Sequence, residues 1–317
     1  MSSPNTPGPE TALPEKPGRG KGFFLGIAAV VIVAVVAVVL VVVNSGGGSA
    51  NTAGRTTVRI GVTDASSDYW KSFTELAAAE GIDVKLVNFS DYTQADPALS
   101  QGQLDLNLFQ HILFLANYNV SKSDTLTPVG STYVVPLSLY SRRHAALAEI
   151  PAGGRVAIPN DPTNQARALL VLQSARLISL RGGGTVLSTP AEIDPAASKV
   201  AVTPVDASQT VAALPSVDAA IVNNNFALDA GLDPSKALFN DDPKNPSAEP
   251  YINAFVSRAQ DKDNPVYLKL AALYRDPRVS GKVEAQSKNT AVLVDRSQAD
   301  LAKILSRLED TVRAAKK

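Results

Sequence analysis

Short alternating apolar runs and longer stretches with helical spacing follow one another along most of this chain. TVRIGVT (57–63) places Val58, Ile60 and Val62 on one face, and the stretch from Ser67 to about Ala79 then sets Trp70, Phe73 and Leu76 at helical spacing. The same succession recurs. DVKLVNF (83–89), LDLNLF (104–109), RVAIP (155–159), KVAVTP (199–204) and VDAAIV (217–222) read as strands, with helical stretches between most of them. Strands alternating with helices predict an α/β architecture built on parallel sheet. The clearest helix start lies in PNDPTNQARALLVLQSARLI (159–178), where Asp161 can cap, Pro162 suits the first turn, and Ala168, Leu169, Leu172 and Ile178 supply an apolar face. Its N-terminus is also a ready place for an anion. RGGG (181–184) is expected to end this helix as a glycine cap, and residues 297–316 to form a charged amphipathic surface helix.

The N-terminal pattern is different. Phe23 to Val43 is apolar without a charge or a proline, long enough at about 1.5 Å per residue to cross a hydrocarbon core of roughly 30 Å. Lys16, Arg19 and Lys21 precede it, and no charge follows until Arg55, which orients the N-terminus to the cytoplasm. The expected order is a cytoplasmic tail (1–22), a transmembrane signal anchor (23–43), a flexible linker (44–56) and an extracytoplasmic body. Such a chain is a single-pass protein of the cell membrane; the alternative is removal of the segment as a signal peptide, for which the small residues Gly48, Ser49 and Ala50 would suit a peptidase.

Composition narrows the function of that body. Hydrophobic residues make up 45% and charged residues 19%, which excludes a disordered solvating chain. Lys+Arg 30 balances Asp+Glu 30, and no basic run marks a nucleic-acid partner. There is no cysteine, and His111 and His144 are the only histidines, so cysteine chemistry is excluded and neither a metal nor a cofactor is expected. No P-loop, GxSxG elbow, HExxH or dinucleotide fingerprint is present, and no catalytic residue is assigned.

Open α/β sheets bind ligands beyond the carboxyl ends of their strands. Those positions hold Ser90, Asp91 and Tyr92; Phe109, Gln110 and His111; Asn160, Asp161 and Asn164; and Asn223, Asn224 and Asn225. Amide side chains both donate and accept, which suits a small zwitterion. Arg167, within an otherwise apolar helix, is either a solvated face or a fork aimed at a carboxylate. An enzymatic reading of the same cleft would pair Asp91 with His111 as acid and base. A receptor reading would need a partner for the short cytoplasmic tail.

Four stretches resemble the methionine-binding lipoproteins of bacterial methionine ABC importers, the NlpA family: NFSDYTQADPALSQGQLDLNLFQH (88–111), VAIPNDPTNQARALLVLQSARLISL (156–180), AAIVNNNFALDAGLDP (219–234) and EPYINAFVSR (249–258). The resemblance covers roughly 58–285. It implies a two-lobed, periplasmic-binding-protein-like (type II) fold with a ligand cleft, one lobe from 57–134 plus 248–317 and the other from 135–247. It further implies a substrate-binding component that is not an enzyme and delivers methionine, or a related amino acid or dipeptide, to an ABC permease and its ATPase subunit. By the same resemblance Arg167 would bind the ligand carboxylate with Asn164 beside it, Asn223 and Asn253 would hold the ammonium and carboxylate groups, and Tyr92, Phe109 and His111 would line the side-chain pocket. Three departures stand out. No cysteine is available for lipid attachment, so the apolar segment would anchor instead, and Ala166 and Phe226 stand where the family often has Gly and Tyr.

Overall fold

A computed structural model describes residues 55–316. The predicted tail, the apolar segment 23–43 and most of the linker lie outside the described residues. Among the described residues no helix is long and apolar enough to cross a membrane.

The chain opens with β1 (Thr56–Val62), α1 (Asp68–Ala79), β2 (Ile82–Asn88), α2 (Tyr92–Ser100), β3 (Leu106–Leu108), α3 (Ile112–Lys122), β4 (Thr127–Ser131) and β5 (Tyr133–Val134). It then builds β6 (Ser138–Tyr140), β7 (Gly154–Pro159), α4 (Pro162–Ser174), β8 (Val200–Val205), α5 (Thr210–Ala213), β9 (Ala219–Val222), α6 (Asn224–Asp229) and β10 (Phe239–Asn240). Last come β11 (Ala254–Ser257), α7 (Pro265–Leu273), α8 (Pro277–Gln286), β12 (Val292–Leu293) and α9 (Gln298–Ala315).

Two five-stranded sheets result, ordered β2-β1-β3-β11-β4 and β10-β6-β9-β7-β8. Read from opposite ends they are the same arrangement, with β8-β7-β9-β6-β10 matching the first order strand for strand. The all-parallel expectation needs one correction in each sheet. β11 pairs antiparallel with β3 and β4, and β6 pairs antiparallel with β9 and β10. Each of these strands is reached from the other sheet without an α-helical crossover, β6 by way of β5 and β11 by way of a short 3-10 helix (Pro246–Tyr251), so it arrives from the opposite end.

Helices cover both faces of each sheet. Tyr69, Trp70, Phe73, Leu76 and Ala77 form the buried stripe of α1 and meet Val58, Ile60 and Val62 of β1. On the other face Leu113 and Leu115 of α3 join Leu301, Ile304 and Leu308 of α9. In the second sheet Val156 and Ile158 of β7 pack on Leu169 and Leu172 of α4. Full burial of side chains of this size stabilises by roughly 1.5–3 kcal/mol each, and β9 (AAIV), which packs into a core on each face, is apolar throughout. Gly130 on β4 allows α7 to approach closely, since a Cβ there would lie 2.5 Å from the Ala271 Cβ.

The end of α4 corrects another expectation. The helix stops at Ser174, well before RGGG. Arg176 turns left-handed at φ 58°, its N–H donates to Gln173 O (2.9 Å), and the Leu177 N–H donates to Leu172 O (2.9 Å). This is a Schellman closure with arginine in the position that usually holds glycine. Ile178 therefore lies beyond the helix, and RGGG forms a separate turn.

Candidate functional site

The carboxyl ends of the parallel strands in both sheets open onto one cavity. Tyr92, Phe109, His111, Asn164, Arg167, Asn223 and Asn253, the seven residues singled out from the sequence, all line it. Local structure accounts for each placement. β3 ends at Leu108, and Phe109 and His111 follow at once; His111 then caps α3 by accepting the Phe114 N–H on Nδ1 (3.0 Å). That contact makes Nε2 the protonated nitrogen of the neutral ring. Burial, reinforced by the nearby Arg167 charge, lowers the His111 pKa to about 3, so the ring is neutral at physiological pH.

Asp161 caps α4, accepting the Asn164 N–H (3.0 Å), so its own carboxylate occupies the place where an external anion was expected. Burial raises the Asp161 pKa, against the lowering pull of Asn164 and Thr163. Asp161 also accepts the Asn164 side-chain amide on both oxygens at 3.1 Å, which turns Asn164 Oδ1 toward Asn223 Nδ2 (2.9 Å). A carboxylate only accepts, so each amide in this chain of bonds has a forced orientation. Asn223 Oδ1 remains without a partner among the described residues.

Asn253 is oriented by backbone. Its main chain bridges His111, its N–H donates to Tyr133 O (2.8 Å), and its Nδ2 lies 3.3 Å from both Tyr133 O and Tyr251 O. Its Oδ1 is thereby left as an acceptor. Arg167 is 4% exposed. Its Nε donates to Asp241 Oδ2 (2.7 Å), and its Nη2 donates to Asp241 Oδ1 (3.1 Å) and Val135 O (2.8 Å). The Tyr251 ring centroid lies 4.1 Å from Cζ, while Nη1 has no protein acceptor among the described residues.

Aromatic side chains on the wall include Tyr92, Phe109, Phe114 and Tyr133, beside the aliphatic Leu108, Val135 and Leu228, while Phe226 packs behind Tyr92 without lining the cavity. Tyr92 lies 6.1 Å from Phe109 and 5.2 Å from Phe226, centroid to centroid, and its hydroxyl donates to Asn225 Oδ1. Burial holds the Tyr92 hydroxyl far above its ordinary pKa, so it stays protonated. The proposed acid/base pair is not assembled. Asp91 caps α2 through the Thr93 N–H (2.8 Å) and does not line the cavity.

The strand-end reading also missed residues. Asp64 follows β1 and lines the cavity, where it accepts from Trp70 Nε1 (3.0 Å) and the Tyr69 hydroxyl (2.7 Å). Burial raises its pKa. The rule applied to the second and third strands finds Asp64 when applied to the first. Asp241 and Tyr251 had no such signal: Asp241 follows β10, a two-residue strand too short to be read from the sequence, and Tyr251 lies on the connection beyond it.

Two sheets of matching strand order, with a polar and aromatic cavity at the carboxyl ends of both, define an α/β protein of the solute-binding class. The chain belongs to the NlpA lipoprotein family, whose model matches residues 58–294. It is similar to the probable D-methionine-binding lipoprotein MetQ of Haemophilus influenzae, at 34% identity over 74% of this chain and 86% of that protein. Among solved structures it is similar to the substrate-binding protein of a methionine transporter from Streptococcus pneumoniae, with 36% identity and a TM-score of 0.71 over 76% of this chain and 96% of that one. A nutrient-binding protein from Burkholderia cenocepacia bound to methionine matches at 34% identity and a TM-score of 0.69, over 74% of this chain and 99% of that one.

Proposed function

We propose that this protein is the substrate-binding component of an ABC importer, taking methionine in the cavity and passing it to a permease driven by an ATPase subunit. The observation that carries the reading is the polarity of the cavity wall. Arg167 offers Nη1 to a carboxylate, while Asn223 and Asn253 have their amide nitrogens engaged and offer oxygens to an ammonium. This sharpens the expectation for the two asparagines, since both are acceptors. His111 adds a buried Nε2–H without a partner among the described residues, and a ligand acceptor would relieve the cost of leaving it so. Tyr92, Phe109 and Phe114 supply apolar, polarizable faces suited to a thioether. Binding and release break no bond.

The two sheets act in this reading as the lobes of a type II binding protein, 57–134 plus 248–317 and 135–247, closing over the ligand. The chain has no cysteine for a lipid, so the apolar segment 23–43 serves as the single-pass anchor and keeps the body extracytoplasmic. Calorimetric titration of ligand-stripped residues 51–317 against a panel of amino acids, with both methionine enantiomers, tests the proposal. Selective binding of methionine is expected, and Arg167→Ala should weaken it by roughly 2–5 kcal/mol. Binding of another amino acid in place of methionine would reassign the ligand, and unchanged affinity in the alanine variant would remove Arg167 from the site.

A further inference from the structure

The chain passes between the two sheets at residues 135–137 and again at 241–253. Both passages converge on Arg167. From the first, Val135 O accepts from Nη2 at 2.8 Å. From the second, Asp241 takes Nε and Nη2 at 2.7 and 3.1 Å, and the Tyr251 ring covers the guanidinium at 4.1 Å. Asp241 also ties the two passages together, since its Oδ1 accepts the Leu137 N–H at 2.8 Å.

We propose that Asp241 is a positioning residue: it aims Arg167 at the ligand carboxylate and couples capture of that carboxylate to the two inter-sheet connections. The inference rests on the cavity being an amino-acid site. Arg167 leaves α4 with several rotatable bonds and would otherwise sweep a wide volume. A fork held side-on by one carboxylate has only its Nη1 edge left to offer, at a fixed angle. The ligand therefore meets an arginine whose direction is already set, which lowers the ordering cost of binding.

The coupling follows from the same contacts. Any swing of one sheet against the other changes the backbone of residues 135–137 and 241–253. That change moves Val135 O, the Leu137 N–H, Asp241 and Tyr251 relative to α4, and with them the free edge of Arg167. An arginine whose aim depends on the hinge binds its ligand more tightly at one hinge angle, and by linkage the ligand favours that angle in return. A carboxylate that merely neutralised a buried cation would need only one contact near the guanidinium. Asp241 instead contacts both the guanidinium and the opposite connection.

The test compares wild type, Asp241→Asn and Asp241→Glu by titration with L-methionine and with methioninamide, whose carboxylate is replaced by an amide. Asparagine keeps the size but can accept on one atom only, so Asp241→Asn should weaken methionine binding by about ten- to a hundredfold. Methioninamide does not use the aimed edge as an anion, and its affinity should change by less than about threefold, well below the span of a charged hydrogen bond. Asp241→Glu keeps the charge on a longer arm and should fall between, and it provides the measurement if the asparagine variant does not fold. Equal losses for both ligands would reduce Asp241 to a structural role and overturn the proposal, as would unchanged methionine affinity. A ligand-free readout separates this idea from the reading beneath it. The Arg167 Nε–H should exchange slowly with solvent in wild type and quickly in Asp241→Asn. Wild-type protein that binds neither ligand would sink the amino-acid reading, and the exchange rates would then decide for or against positioning alone.

Discussion

Asp96 on α2 is 1% exposed, and its Oδ1 accepts from Asn107 Nδ2 (2.8 Å) and Gln110 Nε2 (2.5 Å). Two amide donors favour its ionised form, yet burial dominates and raises its pKa from 3.8 to about 7. The sign of the consequence is fixed by linkage. As pH rises through 3.8 the unfolded chain loses this proton while the folded one keeps it until about 7, so the stability present at low pH is lost across that window. At about 1.4 kcal/mol per unit the loss is of the order of 4 kcal/mol. His111 works the other way over part of the range: its folded pKa of about 3 is depressed, so stability falls as pH drops below its unfolded value of 6.5. Asp96→Asn isolates the acid by subtraction. Urea unfolding of variant and wild type should give a stability difference that grows in the variant's favour from about pH 4 to pH 7 and is constant above. Parallel curves across the whole range would mean that Asp96 titrates normally.

At the scale of elements, α4 shows what was legible in the sequence and what was not. Its start was readable because Asp161 and Pro162 are local signals, each with a mechanism confined to the first turn. Its end was misplaced because the expected glycine signal belongs to another turn, and the left-handed residue is Arg176. An exposed non-glycine at φ 58° carries strain that glycine would not, about 1–2 kcal/mol by backbone sterics. Arg176→Gly should therefore stabilise the protein after the extra entropy of an unfolded glycine is deducted, raising Tm by about 1–3 °C in a body of this size. A lower Tm would point to a stabilising role for the arginine side chain. The site divides along the same line. His111, Asn164 and Asn223 were found because a strand end or a helix start precedes them, and strand periodicity can be read from one segment. Asp241 meets Arg167 across 74 positions of sequence, and the pairing exists only once both connections are folded. The antiparallel strands β6 and β11 were invisible for a similar reason, since direction in a sheet is set by where the chain comes from and leaves no mark on the strand itself.

In the proposed two-lobe reading the molecule opens to admit a ligand, and among the described residues Lys288–Asp233, Ser66–Asp229 and Tyr92–Asn225 are polar side-chain contacts that join one half, residues 57–134 plus 248–317, to the other, residues 135–247. Lys288 meets Asp233 at 2.6 Å with the lysine half exposed, and Ser66 Oγ lies 3.4 Å from Asp229. The first is a surface ion pair of small worth and the second is a long hydrogen bond. Tyr92 differs from both. It is 8% exposed, its ring packs on Phe226 of the other half, and its hydroxyl reaches Asn225 Oδ1 of that half. A buried hydrogen bond of this kind contributes about 0.5–1.5 kcal/mol, and any opening has to break it. Tyr92→Phe keeps the aromatic wall and removes only the hydroxyl, so the closed state loses the bond while the open state loses nothing. The expected result is ligand release faster by about two- to tenfold with an almost unchanged association rate. Trp70, the single tryptophan, donates to Asp64 on the cavity wall and offers a fluorescence signal for stopped-flow measurement. Slower association with unchanged release would place Tyr92 in the encounter step and not in the closure. Unchanged kinetics in both directions would mean that the Tyr92 hydroxyl contributes nothing to the closed state.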